Sequence, residues 1–189
     1  MIPRARGVEP LTWPLASLLG QPPGTRQVVP IAGVTIPLPD GLRLVAPIEG
    51  TLTVARTNRG FLVDAPLRTA IATTCSRCLI DIEVPLEVTV AEEVLPSIDV
   101  ATGLPADRTA EPDVVRLTDH HELELEPLVR DAISLAEPIA PLCQADCPGL
   151  CVTCGERLGP DHAVHPDDDI DPRLAALRAF RVDDEAENE

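Results

Sequence analysis

Residues 67–90, LRTAIATTCSRCLIDIEVPLEVTV, place two cysteines between two short β-strand patterns. The flanks on both sides are rich in β-branched residues and partly alternate between apolar and polar residues, as strands do. Cys75 and Cys78 fall between the two flanks. A CxxC at the tip of a hairpin has the geometry of a zinc knuckle, because the turn directs both sulfurs to one point while backbone N–H groups support them. The stretch therefore predicts an antiparallel hairpin that carries part of a metal site.

Similar strand patterns run through residues 27–94, each short and separated from the next by turn residues. The predicted strands before residue 67 are QVVPIAGVTI, LRLVAPI, GTLTVAR and GFLVDA. Asn58-Arg59-Gly60 is a tight-turn signal between the last two of these strands. Because no helical pattern interrupts the run, we predict that residues 1–94 form a β-rich part, an antiparallel meander that is either a curled sheet or a small barrel.

A loop and a long helix are predicted after the β-rich part. Residues 95–121 are dominated by Pro, Asp and Thr, and we expect them to form a flexible acidic loop without regular structure. Apolar residues then recur at helical spacing from Glu122 to Glu137, and Pro138 ends the helix.

The C-terminal part is predicted to be short of regular structure. Asp171 and Pro172 begin a second short helix, and residues 183–189 form an acidic tail. The segment 122–182, a helix followed by a cysteine-rich stretch, is expected to form one domain with the β-rich part. The predicted fold class is α+β, with an antiparallel sheet, one long helix and a C-terminal cysteine-rich, zinc-binding segment.

The net charge of −16 is divided unevenly along the chain. Residues 1–80 carry a charge of +4, and residues 81–189 carry −20. This division argues against a phosphate-binding surface over the whole chain, but it allows a basic N-terminal half or an acidic half that holds a basic partner. No apolar run approaches the roughly 18 residues of a membrane-spanning helix, so we predict a cytoplasmic protein without disulfides.

A second group of cysteines lies in PLCQADCPGLCVTCGERLGPDHAVHP, residues 141–166, which also contains two histidines. Together with the first pair, the candidate metal ligands are Cys75, Cys78, Cys143, Cys147, Cys151, Cys154, His162 and His165. One partition assigns the four residues up to Cys147 to one zinc ion and the four from Cys151 to another. The other partition is a single ribbon site made of the two CxxC pairs, with the remaining residues unused.

Two chemical alternatives compete with structural zinc. A cytosolic thiol switch that releases zinc is one, although CxxC pairs of the thioredoxin type begin a helix and neither pair here does so. A zinc hydrolase of the nucleobase deaminase type is the other, because His120-His121-Glu122 contains H-x-E ahead of a CxxC. Leu150 stands before Cys151 where those enzymes have Pro, which argues against this hypothesis.

Several motifs in order resemble the YceD family, the large ribosomal RNA subunit accumulation proteins. They are CSRCL after a strand, an acidic loop, ELEPLVRDAISLAEPIAPLC, the GLCxxCG of residues 149–155 and a closing DPRLAAL. The resemblance covers roughly residues 15–180 and implies a non-enzymatic factor needed for accumulation of large-subunit ribosomal RNA. Many family members carry further cysteines after the position of Gly155, where this chain has His162 and His165.

Two partners fit such a role. Precursor ribosomal RNA could contact the basic half of the chain through Arg56, Arg59, Arg68 and Arg77. With one Trp, two Phe and no Tyr, the contact would rest on phosphates and shape rather than on base stacking. Alternatively, the acidic half could hold a basic large-subunit ribosomal protein before assembly. Neither a membrane nor a small-molecule substrate is expected.

Overall fold

The computed structural model describes residues 11–39, 41–99, 102–106, 109, 111–163, 165 and 173. In chain order the elements are β1 (Thr12–Pro14), α1 (Ala16–Leu19), β2 (Arg26–Val34), β3 (Arg43–Arg56), β4 (Phe61–Thr74), β5 (Asp81–Leu95), β6 (Val115–Arg116), β7 (Glu122–Glu124) and α2 (Glu126–Ala136). The chain divides into two compact units, Met1–Cys147 and Pro148–Glu189. All of these elements belong to the first unit.

The first unit contains a five-stranded sheet in the order β2-β3-β4-β5-β6. It also contains a small sheet in which β1 pairs with β7. The strands β2 to β5 run antiparallel to their neighbours, which confirms the predicted meander. β6 adds a short parallel pairing at the end of β5. In the described residues the sheet is open, with β2 at one edge, rather than closed into a barrel.

The β3–β4 hairpin turns where Asn58-Arg59-Gly60 predicted it. Thr57 N–H donates to the Gly60 carbonyl at 2.9 Å, and Gly60 N–H returns to the Thr57 hydroxyl at 2.9 Å. A Cβ on Gly60 would lie 2.3 Å from the Val94 carbonyl oxygen, so the turn also needs glycine because β5 passes close to it.

Two predicted turns are instead the middles of long strands. The patterns LRLVAPI and GTLTVAR join in β3, and GFLVDA and LRTAIATT join in β4. Gly50 lies opposite Leu67, and a Cβ on Gly50 would come within 2.2 Å of the Pro66 carbonyl oxygen. Gly50 therefore allows β3 and β4 to approach closely. Because glycine and proline are also typical of turns, the sequence at this point looked like a turn.

One face of the sheet carries the hydrophobic core. Along β4 the side chains alternate between buried and exposed from Phe61 to Thr69, as a strand with one solvated face requires. Val129 and Ile133 of α2 are fully buried on the core side, together with Leu15 from the segment before α1. Burial of each such side chain contributes about 1.5–3 kcal/mol relative to its exposure in the unfolded chain.

The predicted long helix is shorter than its periodicity suggested. α2 begins at Glu126, and residues 122–124 form β7, which pairs with β1. Pro127 explains the boundary, because proline has no N–H to donate and is tolerated only in the first turn of a helix. The prediction that the helix starts at Glu122 was therefore wrong.

The segment 95–121, expected to be an unstructured loop, contains local structure in its described residues. β6 pairs with the end of β5, and Leu117 is buried with its N–H bonded to the Leu95 carbonyl at 2.9 Å. Ile98 and Pro105 form an isolated antiparallel bridge. The predicted helix start at Asp171 and the acidic tail lie outside the described residues. No helix in the described part is long and apolar enough to cross a membrane.

Candidate metal centre

The turn between β4 and β5 holds Cys75 and Cys78 on a tight knuckle. Cys75 N–H donates to the Ile80 carbonyl at 2.8 Å, and Leu79 N–H donates to the Cys75 carbonyl at 3.0 Å. Leu79 adopts a left-handed conformation with φ 57°, which is unusual for a residue with a branched side chain. The knuckle was predicted from the CxxC spacing, and its geometry confirms that prediction.

The segment after α2 places Cys143 and Cys147 beside this knuckle. Ser76 N–H donates to the Pro141 carbonyl at 2.8 Å, and the Arg77 guanidinium donates to the Cys147 carbonyl at 2.9 Å. Cys75 and Cys147 are almost completely buried. Hydrogen bonds from the knuckle, one from the backbone and one from the Arg77 side chain, thus fix the position of the second cysteine pair.

The four sulfurs of this first cluster lie within 4.8 Å of one another. The Sγ atoms of Cys75 and Cys147 are 3.8 Å apart, and those of Cys78 and Cys143 are 3.6 Å apart. A tetrahedral zinc ion with Zn–S bonds of about 2.3 Å requires S–S separations of about 3.8 Å. The first cluster therefore fits four-thiolate coordination of a tetrahedral ion.

The cysteine thiols of the first cluster differ in pKa. The pKa of Cys75 is lowered to about 6, chiefly by the backbone N–H of Cys78 and also by those of Cys143 and Arg77, although burial opposes the shift. Burial and the neighbouring sulfurs, Cys147 first, raise the pKa of Cys143 to about 12. A bound divalent cation favours the thiolate at every ligand, so this crowding suits a metal site.

A second knuckle lies in the unit Pro148–Glu189. Cys151 N–H donates to the Glu156 carbonyl at 2.7 Å, and Gly155 N–H donates to the Cys151 carbonyl at 2.9 Å. Gly155 has a φ of 74°. This hydrogen-bond pattern is the one found at Cys75, with Gly155 at the left-handed position that Leu79 occupies in the first knuckle.

Two histidines complete a second cluster in this unit. The ligand atoms of Cys151, Cys154, His162 and His165 lie within 4.8 Å of one another, and the Cys154 Sγ is 3.3 Å from the His162 Nε2. N–H groups of Cys154 and Thr153 lower the pKa of the Cys151 thiol. The donor set fits a Cys₂His₂ tetrahedral site, but Cys154 is exposed, unlike the ligands of the first cluster.

Each unit thus contains four of the eight candidate ligands, grouped as in the first of the two partitions. None of the six cysteines, all of them described, forms a disulfide. The two clusters include neither His120 nor Glu122, the residues of the H-x-E motif.

The four arginines considered for RNA contact occupy separate places on the sheet. Arg56 is half-buried, stacks on Phe61 at 5.5 Å and donates to backbone carbonyls, including that of Gly60 at 2.8 Å. Arg77 supports the first cluster, as described above. Both of these guanidinium groups are therefore bound within the protein.

The other two arginines form ion pairs with acidic residues. Arg59 contacts Glu93 at 2.5 Å and Glu111 at 2.7 Å. The hydrogen bonds that it donates to them, first the one to Glu93, raise the pKa of Arg59. Arg68 contacts Glu87 at 3.0 Å on the open face of the sheet, and both side chains are more than three-quarters exposed. The pairing of β4 with β5 thus places carboxylates of the acidic half within ion-pair distance of arginines of the basic half.

The family described as large ribosomal RNA subunit accumulation protein YceD matches residues 63–181. Uncharacterized proteins of Mycobacterium tuberculosis and Mycobacterium bovis are each 34% identical over 142 residues, which is 72% of this chain and 66% of theirs. An uncharacterized protein of Mycobacterium leprae is 34% identical over 142 residues, 63% of its length. The chain thus spans slightly less than two thirds of these relatives, and no solved structure matches it. The chain belongs to the YceD family of large ribosomal RNA subunit accumulation proteins.

Proposed function

We propose that this chain is a non-enzymatic, cytoplasmic factor of ribosome biogenesis that supports the accumulation of large-subunit ribosomal RNA. Membership of the YceD family is the observation that carries this proposal. The chain would act by binding precursor ribosomal RNA, a basic ribosomal protein, or both. Zinc in the two clusters would be structural.

The form of the first cluster supports a structural role for the metal. Structural zinc sites have four protein ligands, whereas catalytic sites keep one position open for water or substrate. Cys75, Cys78 and Cys147 are buried and, with Cys143, supply four sulfurs. Such a closed set leaves no position at which a substrate would bind, in keeping with a non-enzymatic factor.

The second cluster would stabilise a small folded unit. Its described residues include few buried apolar side chains, and Leu150 pairs with Arg157 in an isolated bridge. Small units of this kind gain their folding free energy from the metal, because the ligands converge only in the folded state.

Charge favours the basic protein as a partner. Residues 81–189 carry −20, and β5 places Glu87 and Glu93 against Arg68 and Arg59. These ion pairs offset part of the positive charge of the N-terminal half. Of the four arginines proposed for RNA contact, Arg68 is the most accessible to a phosphate.

Gradient sedimentation of a tagged protein from a gentle lysate, with and without RNase, tests the proposed function. We expect migration with large-subunit precursors, and loss of that migration after RNase treatment. Protein that stays at the top of the gradient in both samples contradicts the proposal.

Substitution of Arg68 tests the proposal that the chain binds precursor RNA. Arg68→Glu should weaken binding to precursor RNA and reduce its salt dependence, whereas Glu87→Gln, which removes the paired carboxylate, should leave it unchanged or strengthen it. Equal binding by wild type and Arg68→Glu would remove Arg68 from the RNA contact.

A thiol switch is the second candidate function, and one observation favours it. Cys154 is exposed, so an oxidant could reach its sulfur, and Cys151 lies in the same cluster as a thiol with which it could form a disulfide. Release of one zinc ion by dilute peroxide, reversed by a thiol reductant, would support it. Retention of all zinc under conditions that oxidise a free thiol would exclude it.

A further inference from the structure

The edge of β5 that faces away from β4 is largely free of strand partners. In the described part of the chain, β6 pairs with this edge only at Val94 and Leu95. Among the residues that the structure describes, those at 81–93 continue the strand and pair with β4 alone, in a ladder without bulges. At about 3.3 Å per residue, this free edge is roughly 40 Å long. Native proteins seldom leave so long an edge uncovered without a reason.

Two contacts establish which residues direct their backbone groups outward. The Leu95 carbonyl accepts from Leu117 N–H at 2.9 Å, on the side away from β4. The Val94 carbonyl points toward β4, because a Cβ on Gly60 would lie 2.3 Å from it. Backbone groups alternate between the two sides along a strand, so N–H and C=O groups point outward at every second residue counted back from Leu95.

That alternation makes Asp81, Glu83, Glu87, Thr89, Ala91 and Glu93 outward-facing residues. Pro85 belongs to the same set, which fits the rule that proline in an edge strand places its missing N–H on the free side. The side chains of this set lie on the open face of the sheet and include four carboxylates, those of Asp81, Glu83, Glu87 and Glu93.

A groove runs between this edge and the flank of α2. On the helix side it is lined by apolar side chains that include Leu128, Ala132 and Leu135. Leu135, in the last turn of the amphipathic helix α2, is 87% exposed. The charged residues in the lining, Glu87, Glu92 and Asp131, are all acidic. The groove therefore combines a backbone edge, an apolar wall and negative charge.

We propose that an extended, basic segment of a partner protein docks here as an additional strand on β5. Strand addition supplies main-chain hydrogen bonds, and alternate side chains then meet different surroundings. Side chains on the core side would contact Leu128 and Leu135. Those on the open side would meet the four carboxylates, of which Glu87 and Glu93 also pair with Arg68 and Arg59. The chemistry selects a segment in which Lys or Arg alternates with apolar residues. This inference rests on the proposed function, because it locates the basic partner.

Charge disfavours the other occupants of the edge. A second copy of the chain would place the Glu87 and Glu93 row opposite an identical row, and like charges across paired strands are destabilising. A nucleic acid would bring phosphates to the carboxylates of Glu92 and Asp131. A basic peptide strand instead neutralises these groups.

The direct test uses the full-length, zinc-loaded protein and a synthetic peptide in which arginine alternates with valine. A shuffled peptide of the same composition, with the alternation destroyed, is the control ligand. We expect the alternating peptide to bind more tightly and to slow hydrogen exchange at the outward amides of Glu87, Thr89 and Ala91. Binding should weaken as salt is raised.

Thr89→Pro isolates the backbone contact. It removes one outward N–H and leaves the β4–β5 ladder intact, as Pro85 already does. We expect the peptide to bind at least about tenfold more weakly to Thr89→Pro. Thr89→Val, which keeps the N–H, should bind as wild type does. Equal affinity of the two variants, or no amide protection in wild type, would overturn the proposal.

A matched pair of double variants isolates the groove charges. Glu92→Gln with Asp131→Asn should weaken peptide binding, whereas Glu49→Gln with Asp64→Asn, which changes the net charge equally at exposed positions outside the groove, should not. Equal weakening by both pairs would reduce the effect to net charge and overturn the assignment. Concentration-dependent protection of the same amides without peptide would assign the edge to a second copy and overturn it too.

The sedimentation experiment separates this inference from the proposed function. If wild type migrates with large-subunit precursors and Thr89→Pro fails in peptide binding, both statements stand. If wild type does not migrate with precursors, the proposed function fails, and the peptide measurements still decide whether β5 is a docking edge. If wild type migrates with precursors and the peptide does not bind, only the docking edge fails.

Discussion

The guanidinium of Arg77 donates a hydrogen bond of 2.9 Å to the backbone carbonyl of Cys147. Arg77 lies inside the first CxxC, and Cys147 is the last ligand of the same cluster, 70 residues later in the chain. The arginine of the CxRC motif thus ties the two ligand pairs of one cluster together. This contact gives the motif arginine a structural role independent of RNA.

Loss of this contact should weaken metal retention. Arg77→Ala is expected to lower stability by about 1 kcal/mol, since a partly exposed hydrogen bond from a charged group is worth less than a buried one. It should also speed the transfer of zinc to a chelator. Arg68→Ala, a change at an exposed ion pair, should cost less than about 0.5 kcal/mol and leave zinc transfer unchanged. Equal rates of zinc transfer in the two variants would contradict the role given to Arg77.

Substitutions at the left-handed residues of the two knuckles, Leu79 and Gly155, should have opposite effects. Leu79 is 64% exposed, so Leu79→Gly should lose little buried surface while it relieves backbone strain. We expect the free energy of unfolding to rise by up to about 1 kcal/mol, and the melting temperature to rise with it. Nothing lies within 4 Å of a Cβ at Gly155, so Gly155→Ala should add strain without a clash. We expect chelator competition to show roughly fivefold weaker metal binding for Gly155→Ala. A lower melting temperature for Leu79→Gly would contradict the strain at Leu79.

Close strand contact at Gly50 should make that glycine indispensable. Gly50→Ala is expected to destabilise the protein by at least about 2 kcal/mol in chemical denaturation, because its Cβ would clash with the Pro66 carbonyl oxygen. Gly20→Ala is the control, since its Cβ would have only an ordinary contact at 4.0 Å with the Ser17 carbonyl oxygen. Similar unfolding midpoints for the two variants would show that the β3–β4 contact is looser than described.

Acid should weaken the ion pair of Arg59 and Glu93. The hydrogen bond from Arg59 lowers the pKa of Glu93 below its usual value near 4.5, and burial only partly opposes this shift. A depressed carboxylate pKa adds stability above the unfolded-state pKa, and this contribution is lost as the pH falls through the folded-state pKa. Between about pH 5 and pH 3, the melting temperature should therefore fall less steeply for Glu93→Gln than for wild type. Equal slopes for Glu93→Gln and wild type would contradict a lowered pKa of Glu93.

Local sequence signals predicted the features that depend on neighbouring residues. The CxxC of Cys75 and Cys78 and the turn at Gly60 each depend on a few consecutive positions, and both are where the sequence placed them. Gly50 and Pro66 suggested turns because a close approach of two strands selects the same residue types. The start of α2 was misplaced because apolar periodicity continues through β7, whereas Pro127 fixes the boundary.

Features that depend on pairing between distant segments could not be predicted from the sequence. The grouping of four ligands in each unit requires the position of Cys147 relative to Cys75. The ion pair of Arg59 with Glu93 follows from the β4–β5 register, which composition does not specify. For the same reason the charge of the N-terminal half did not reveal that Arg59 and Arg68 pair with carboxylates, and the free edge of β5 had no local signal.

Native mass spectrometry of the purified protein tests most directly the proposal that each cluster holds one zinc ion. We predict two zinc ions per chain in wild type. Cys143→Ser in the first cluster and Cys154→Ser in the second should each bind one ion fewer, and each loss should leave the other site occupied. A single ion in wild type that is lost in both variants, or two ions in all three proteins, would contradict the claim.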